Sequence, residues 1–261
     1  MNRLARRNYG SGHAYQLDGN RCPGVTTIIG KLDKPALIDW AARKSAGYAI
    51  DHWDELGRLP LMERAKLIQD ARWESNKSAI VRGNRIHAMG EQLAHTGQPE
   101  APPELLSQVE AYARFLDRWD METLALEAPV AHTDYRYAGT LDSIVKSPKL
   151  GTILLDIKTG SGVFGEVALQ LAAYRYADLL QVSGKPPKEG PMIPVDDCYV
   201  AHVLGDDVEL LPIEVTEETF DAFLYLREIY EWHERATNRK NDDFRPPVGA
   251  PVYPEQIQVA S

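Results

Sequence analysis

Cysteine is scarce in this sequence, which limits the metal sites that the chain can form. Only two of the 261 residues are cysteines, Cys22 and Cys198, and they lie far apart. Two cysteines cannot supply the four thiolates of an iron–sulfur cluster or of a four-cysteine zinc site. They also give no sign of the disulfide framework of a small secreted domain, so a reducing cytoplasm is the default expectation.

Long apolar runs are absent as well. No stretch of 18 or more apolar residues occurs, so the sequence predicts no membrane-spanning helix. The first residues, MNRLARRNYG, are basic but lack the apolar segment of a signal peptide. We therefore expect a cytoplasmic protein that has no membrane partner.

Positive charge does not dominate the sequence, whose formal net charge is −9. This balance argues against nucleic-acid binding through a general coat of basic residues. It is compatible with a local basic groove, although solvated surface charge is the simpler interpretation of each basic cluster. The clusters that could line such a groove are Arg3/Arg6/Arg7, Lys77/Arg82/Arg85 and Arg235/Arg239/Lys240.

What remains is an ordinary globular composition, 44% hydrophobic and 26% charged. Turn and periodicity signals predict a mostly helical first half and a strand-rich second half. In the first half we predict a β-ribbon over 13–30 and helices over 34–53, 61–75, 76–97 and 102–120. In the second half we predict strands over 123–132, 135–146 and 151–159, a helix over 165–181, a loop over 183–195, a hairpin of 196–204 and 207–215, and a helix over 216–236 with Thr216 as its N-cap. This order indicates an α/β (α+β) fold with an N-terminal helical lobe.

The stretch LLDIKTG, residues 154–160, places an acid and a base two residues apart in an apolar strand. A turn centred on Lys149 gives this strand a register against the preceding one in which apolar residues face apolar residues on both faces. The predicted cross-strand pairs are Asp142 with Asp156, Thr140 with Lys158, Ile144 with Leu154, Leu141 with Ile157, and Val145 with Ile153.

Directly opposed carboxylates, with Cβ atoms roughly 4.5–5.5 Å apart, repel each other and lose hydration. Three arrangements could offset this cost for Asp142 and Asp156: protonation of one carboxyl, an ion pair with Lys158, or a divalent cation bound by both. Oxygen ligands of this kind suit Mg²⁺ or Mn²⁺. The D-x-K pattern alone is a weak signal, and an Asp–Lys ion pair at the end of a sheet is its simpler interpretation.

Two predicted helices carry polar residues that are spaced to share one face. The first presents Gly83, His87 and Glu91, and the second presents Gln170 and Tyr174. Taken separately, each set has a simpler interpretation. His87 would be a histidine whose hydrogen bonds are satisfied within the protein, and Gln170 and Tyr174 would be ordinary amphipathic patterning.

In their order along the chain, these segments resemble the RecB-like branch of the PD-(D/E)XK nucleases. That branch shows G-x-x-x-H-x-x-x-E, then G-x-[LIV]-D, then D-x-K, then Q-x-x-x-Y. The matching segments are GNRIHAMGE (83–91), GTLD (139–142), DIK (156–158) and QLAAY (170–174). The segment GVTTIIGKLDKPALIDWAA (24–42) also resembles the one that precedes this core in phage exonucleases and mitochondrial genome maintenance exonucleases. Two departures, Leu141 in place of proline and Asp156 in place of glutamate, both fit the branch.

The resemblance implies a restriction-endonuclease-like core with a mixed central sheet flanked by helices. We place this core at 76–240, with a helical insertion at 102–121. A ribbon and helical lobe at 1–75 would precede it, and a proline-rich tail at 241–261 would follow it.

The resemblance also implies a ligand set for Mg²⁺ or Mn²⁺. Asp142 and Asp156 would bind the ion with the backbone carbonyl of Ile157, and His87 would add a nitrogen that favours Mn²⁺ somewhat. Glu91 and Glu127 are weaker candidates. No iron–sulfur cluster is expected.

The remaining motif residues acquire roles from the same resemblance. Lys158 would orient or deprotonate the attacking water and stabilise the transition state. Gln170 would position the substrate or Lys158, and Tyr174 would pack against the DNA backbone or support the site. Arg82 and Arg85 would contact phosphates.

The function implied is a metal-dependent DNA exonuclease that prefers single strands or free ends and acts in recombination, replication or repair. It would work in the host cytoplasm if a phage encodes it, and could associate with a recombination or replication protein. A structure-specific endonuclease and a catalytically silent DNA-binding protein are the alternatives. A nucleotide-binding enzyme using TGSG (159–162) is disfavoured because the Walker lysine spacing is missing.

Overall fold

The structure is a computed structural model, which describes residues 2–9, 12–73, 106–160, 162–184, 187–240 and 243–247. The predicted helix over 76–97 lies outside the described residues. Its four candidate site residues, Arg82, Arg85, His87 and Glu91, therefore lie outside them too. In the described ranges, no helix is long and apolar enough to cross a membrane.

The order of helices and strands follows the sequence prediction in the main. The helices are α1 (Val25–Ile29), α2 (Pro35–Asp51), α3 (Trp53–Gly57), α4 (61–73), α5 (Leu106–Arg118), α6 (Glu166–Arg175) and α7 (Glu217–Thr237). The strands are β1 (Leu4–Tyr9), β2 (Gly12–Leu17), β3 (Asn20–Cys22), β4 (Glu122–His132), β5 (Tyr137–Ser147), β6 (Gly151–Lys158), β7 (Leu179–Val182), β8 (Lys188–Pro191), β9 (Asp197–Leu204) and β10 (Asp207–Ile213). The elements β1, α1, β7 and β8 are additional to those predicted.

Seven strands form one mixed sheet in the order β10-β9-β6-β5-β4-β7-β8. Neighbours are antiparallel except β6 and β9, which run parallel. The chain leaves β6, crosses one face of the sheet as α6, and adds strands at the far edge before it returns to β9. The mixed sheet flanked by helices that the sequence predicted is confirmed.

The two faces of this sheet carry different helices. On one face α1, α6 and α7 pack together, and Ile28, Leu171 and Phe223 of these helices are fully buried against the strands. On the other face Tyr112 and Phe115 of α5 cover the apolar residues of β6 and β9. Each large side chain buried in this way contributes about 1.5–3 kcal/mol, so the central strands are held from both sides.

The N-terminal ribbon is a separate three-stranded sheet, β1-β2-β3, that packs beside the large one. Its turn at Asp18 and Gly19 has positive φ at both residues, 52° and 79°, as a two-residue hairpin turn of type I′ requires. Tyr15 and Leu17 are buried against Ala138 of β5 and its neighbours. The ribbon therefore lies next to the middle of the large sheet.

Several sequence predictions are confirmed in detail. The three core strands, the β9–β10 hairpin and the helices over 34–53 and 61–75 occur close to their predicted bounds. Thr216 caps α7 as predicted, because its Oγ1 accepts a hydrogen bond from the amide of Thr219 at 3.3 Å.

Three predictions of secondary structure are wrong. Residues 25–29, which the ribbon predicted over 13–30 includes, form the helix α1. The helix predicted over 165–181 ends at Arg175, and the loop predicted over 183–195 contains the edge strand β8. Asp178 accepts hydrogen bonds from the backbone and hydroxyl of Thr133, which fixes a turn where a helix would continue. The apolar residues after that turn then pair with β4. Short apolar runs fit a helix or a strand equally well in sequence, and here the open edge of the sheet decides.

Candidate active site

The β5–β6 hairpin has the register that the sequence predicted, from Ser147 opposite Gly151 to Ser143 opposite Leu155. Gly151, in the turn, has a φ of 74°, a value that suits glycine. The register brings Asp142, in the middle of β5, next to the C-terminal end of β6, where Asp156 lies.

Beyond Ser143 the regular ladder ends. Asp142 Oδ2 accepts a hydrogen bond of 2.7 Å from the amide of Ile157, so a side chain takes the place of a backbone acceptor. The pairings predicted beyond this point, of Asp142 with Asp156, Leu141 with Ile157 and Thr140 with Lys158, are therefore wrong. Leu141 packs on the α6–α7 side of the sheet, whereas Ile157 packs on the α5 side. The carboxylate of Asp142 is thereby fixed against the backbone of β6.

The other carboxylate, Asp156, is buried, with only 2% of its surface exposed. Gln170 Nε2 of α6 donates to its Oδ1 at 3.0 Å. Lys158 Nζ lies 2.6 Å from its Oδ2, although this oxygen makes no hydrogen bond with the described residues. An isolated buried carboxylate is costly, and the ammonium group offsets that cost. The ion pair with Lys158 is one of the three arrangements that the sequence allowed.

Lys158 connects its buried ion pair with Asp156 to a second, more exposed ion pair between Glu166 and Lys34. Its side chain is 34% exposed, so it reaches from the protein interior towards solvent. Glu166, at the start of α6, accepts a hydrogen bond of 3.0 Å from Lys34. That hydrogen bond, with a smaller contribution from Lys158, lowers the pKa of the Glu166 carboxyl. Acids and bases therefore alternate from Asp156 to Lys34.

Tyr174, on α6, supports the candidate site from inside the protein. It is 2% exposed, which leaves a supporting role and excludes packing against a DNA backbone. Its hydroxyl lies 3.5 Å from Gln170 Nε2, the atom that also holds Asp156. Burial, reinforced by the negative charge of Asp142, raises the pKa of Tyr174 well above its usual value. The phenol is therefore a neutral partner for Gln170.

Glu127 occupies the register position across from Asp142 on β4, between the pairs Leu126–Ser143 and Ala128–Leu141. Its φ of 44° is unusual for a residue with a side chain. Such a conformation costs on the order of 1–3 kcal/mol and is often found at functional sites. The structure thus places Glu127 in the same row as the two aspartates.

Sequence reasoning missed Tyr15. Its hydroxyl is 2.8 Å from Thr140 Oγ1, two residues before Asp142, and joins the ribbon to the site. The alternation of Tyr15 and Leu17 along β2 predicts that both face inwards, but gives no sign of their partner. Lys34 was missed for the same reason, since residues so far apart in sequence show no local pattern.

Only part of the predicted set of metal ligands lies within the described residues. The described residues contain no group of three or more His, Cys, Asp or Glu arranged to hold a metal ion. His87 and Glu91 lie outside them, whereas Asp142 and Asp156 lie within. The carboxylate oxygens of Asp142 and Asp156 are ligands that suit Mg²⁺ or Mn²⁺, and Oδ2 of Asp156 pairs with Lys158 Nζ at 2.6 Å.

Two hollows adjoin these residues. One, of about 210 Å³, has Lys158 and Gln170 in its wall, together with Lys34 and Phe164. The other, of about 670 Å³, lies between the ribbon and α7 and shares Thr26 with the first. Its wall includes residues of both signs, among them Arg21, Arg235, Lys240, Glu231, Glu234 and Asp243.

Among the described residues of the basic clusters seen in the sequence, some already pair with an acid and others are exposed, where a ligand could reach them. Arg3 is engaged with Asp18 at 2.8 Å, whereas Arg6 and Arg7 lie exposed on β1. Arg235 and Lys240 lie in the wall of the larger hollow.

No family model matches the chain, and no curated protein matches it.

Proposed function

We propose that this protein is a metal-dependent nuclease that hydrolyses phosphodiester bonds in DNA, with a core of the PD-(D/E)XK type and the RecB-like arrangement. The observation that supports this most is the convergence of Asp142, Asp156, Lys158 and Gln170 around the C-terminal end of β6. These residues come from three of the four motifs, and Tyr174 supports them from below.

The two carboxylates are the proposed cation ligands, with the carbonyl of Ile157 and His87 as further ligands. When bound, Mg²⁺ or Mn²⁺ supplies Lewis acidity that polarises the scissile phosphate and lowers the pKa of a water molecule. The chain itself fixes the ligands. Asp142 is held by the amide of Ile157, and Asp156 is held by Gln170.

Lys158 is the residue proposed to act on the water and the phosphate. Its ammonium group lies beside Asp156 and extends towards solvent, where a phosphate can reach it. There it would orient the attacking water and stabilise the negative charge that develops on the phosphate. Gln170 and the neutral Tyr174 hold Asp156 in place and are positioning residues.

The preference proposed is for single strands or free ends, in recombination, replication or repair, with a DNA-processing partner protein. This part rests on the resemblance of the motifs and of segment 24–42. The basic groups of Arg235 and Lys240 beside the larger hollow are compatible with a nucleic-acid path.

Digestion of end-labelled single- and double-stranded DNA with Mg²⁺, Mn²⁺ or EDTA tests the proposal. We expect cleavage that needs the metal and that is lost in Asp142→Asn, Asp156→Asn and Lys158→Ala. Lys149→Ala is the matched control, because Lys149 lies in the turn at the other end of the β5–β6 hairpin. Unchanged activity in Lys158→Ala would refute the role of the lysine. Cleavage of circular single-stranded DNA would indicate an endonuclease.

A DNA-binding protein without catalytic activity is the second candidate. The ion pair between Lys158 and Asp156 favours it, because this pair satisfies the buried carboxylate without a metal. Binding of DNA in EDTA with no cleavage in either metal would support this candidate and contradict the first.

A further inference from the structure

The smaller hollow beside Lys158 has one apolar and one charged side. Its apolar wall is formed by Ile29 of α1, Val163 and Phe164 of the loop after β6, and Val167 of α6. Its polar wall carries Thr26, Lys34, Glu166 and Gln170 besides Lys158. An apolar surface next to two ammonium groups matches a ligand with a flat apolar part and a negatively charged part.

Phe164 is the most conspicuous member of the apolar wall, because 60% of its surface is exposed. Its backbone is nevertheless fixed, since its carbonyl accepts a 3.0 Å hydrogen bond from the amide of Val167 at the start of α6. A β-carbon on Gly162 would lie 3.7 Å from the tip of the Phe164 ring, so the ring folds back over that glycine. The ring is thus presented to solvent from a defined position at the rim of the hollow.

Lys34 supplies a second positive charge at the same rim. It pairs with Glu166 at 3.0 Å, and both side chains are more than a third exposed. An ion pair that exposed adds little stability, so an incoming phosphate can replace the carboxylate at little cost. Lys158 acts on the same carboxylate, which places both lysines around Glu166.

We propose that this hollow binds one unpaired nucleotide of a DNA strand, next to the phosphate at the candidate active site. The base stacks on the ring of Phe164, and Lys34 binds the neighbouring phosphate. This inference rests on the proposed function for the position of the cleaved bond, but the binding itself does not require cleavage.

The chemistry of this site selects single strands without selecting a sequence. Every base has a π-face, so stacking on an aromatic ring tolerates any sequence. A base inside a duplex is already stacked on both sides and must be unpaired before it can reach the ring. The preference for single strands would therefore arise in part from Phe164.

The test measures binding in EDTA, so that cleavage cannot interfere. The probes are a fluorescent oligothymidylate and a strand of equal length made of abasic residues. In the full chain, Phe164→Ala should weaken binding of oligothymidylate about 5- to 100-fold, as expected for the loss of one stacked base. It should leave binding of the abasic strand unchanged, and Phe164→Trp should restore the wild-type affinity for oligothymidylate.

Lys34→Ala should weaken both probes by the same factor, since both carry the phosphates. Tyr225→Ala is the matched control, because Tyr225 is 67% exposed on α7 and lines neither hollow. The proposal is overturned if Phe164→Ala binds oligothymidylate like the wild type, or if it weakens both probes equally.

Cleavage assays separate this inference from the proposed function. If the wild type cleaves DNA but Phe164→Ala binds and cleaves like the wild type, the function stands and the nucleotide site is wrong. If Phe164→Ala weakens binding of oligothymidylate but not of the abasic strand, and the wild type cleaves nothing with Mg²⁺ or Mn²⁺, the nucleotide site stands and the function is wrong.

Discussion

Tyr174 packs so closely on Gly139 that a β-carbon added to the glycine would lie 2.5 Å from Cε1 of the ring. Gly139 begins the segment GTLD, and Tyr174 ends the segment QLAAY. The glycine is needed because the ring occupies the space of its missing side chain. The two motifs, which are separate in the sequence, thus contact each other next to Asp142.

Gly139→Ala is accordingly expected to destabilise the protein. The added methyl group must displace a buried ring, which costs typically about 1–3 kcal/mol. Urea unfolding should show this loss, and DNA cleavage should fall because Gln170 and Asp156 move with Tyr174.

Gly47→Ala provides the control for Gly139→Ala. Gly47 lies in α2 with no atom within 4 Å of an added β-carbon, so alanine there should stabilise the chain slightly. In a Tyr174→Ala background the cost of Gly139→Ala should become smaller but not vanish, because Val25 Cγ2 still lies 3.2 Å from the added β-carbon. An undiminished cost there would contradict the proposed steric cause.

Lys158→Ala should destabilise the protein in a way that a metal can reverse. Removing the ammonium group leaves the carboxylate of Asp156 buried without its counter-charge. We expect a loss of about 1–3 kcal/mol, less than for a fully buried pair, because Lys158 is 34% exposed. Mn²⁺ should then raise the unfolding temperature of Lys158→Ala more than that of the wild type, because a ligand stabilises the state that binds it.

Asp156→Asn controls the metal effect. Without the carboxylate there is no buried charge to compensate, so Mn²⁺ should shift the unfolding temperature little. An equal shift in Asp156→Asn and Lys158→Ala would show that the ion binds elsewhere on the protein.

The register of the hairpin could be predicted from the sequence, whereas the end of its ladder could not, and both outcomes have a physical reason. The register of β5 and β6 was predictable because a slip by one residue would set the aspartates opposite apolar side chains. The end of that ladder was not predictable, because the side chain of Asp142 takes the amide of Ile157. Whether a polar side chain replaces a backbone acceptor depends on the local path of two strands, which the pattern of residues does not encode.

The end of α6 shows a second limit. Its helical pattern continues past Arg175 in sequence, but Asp178 binds Thr133, in the turn after β4, more than forty residues earlier. Contacts of this range also explain why Tyr15, Lys34 and Phe164 became visible only in the structure.

Alkaline pH should destabilise the protein through its two buried thiols. Burial raises the pKa of Cys22 from 9.0 to about 12 and that of Cys198 from 9.0 to about 11. Between the ordinary thiol pKa of 9.0 and these raised values, the unfolded chain loses thiol protons that the folded chain keeps. The free energy of unfolding therefore falls as pH rises through this range. Below a pH of about 9 both states keep these protons, and the thiols contribute no pH dependence.

Urea unfolding at a pH of about 8 and about 10 measures this effect. The double variant Cys22→Ala/Cys198→Ala should lose less stability over this interval than the wild type. Identical pH slopes in the two proteins would contradict the prediction.

His202 should hold the loop that carries Phe164. Its ring is buried in β9, opposite Lys158, and its Nε2 lies 2.9 Å from the carbonyl oxygen of Gly160, to which it can donate. His202→Leu removes this donor and leaves the carbonyl without it, a loss of about 1 kcal/mol. Because a protease cuts the locally opened state, chymotryptic cleavage after Phe164 should become roughly five times faster.

His233→Leu is the matched control, since His233 is on α7 and its side chain is 45% exposed. It should leave the rate of cleavage after Phe164 unchanged. Affinity for oligothymidylate should fall in His202→Leu, because the ring of Phe164 is then no longer held in position. If global stability falls in His202→Leu while the cleavage rate after Phe164 and the affinity stay constant, the histidine supports the sheet and does not position the loop.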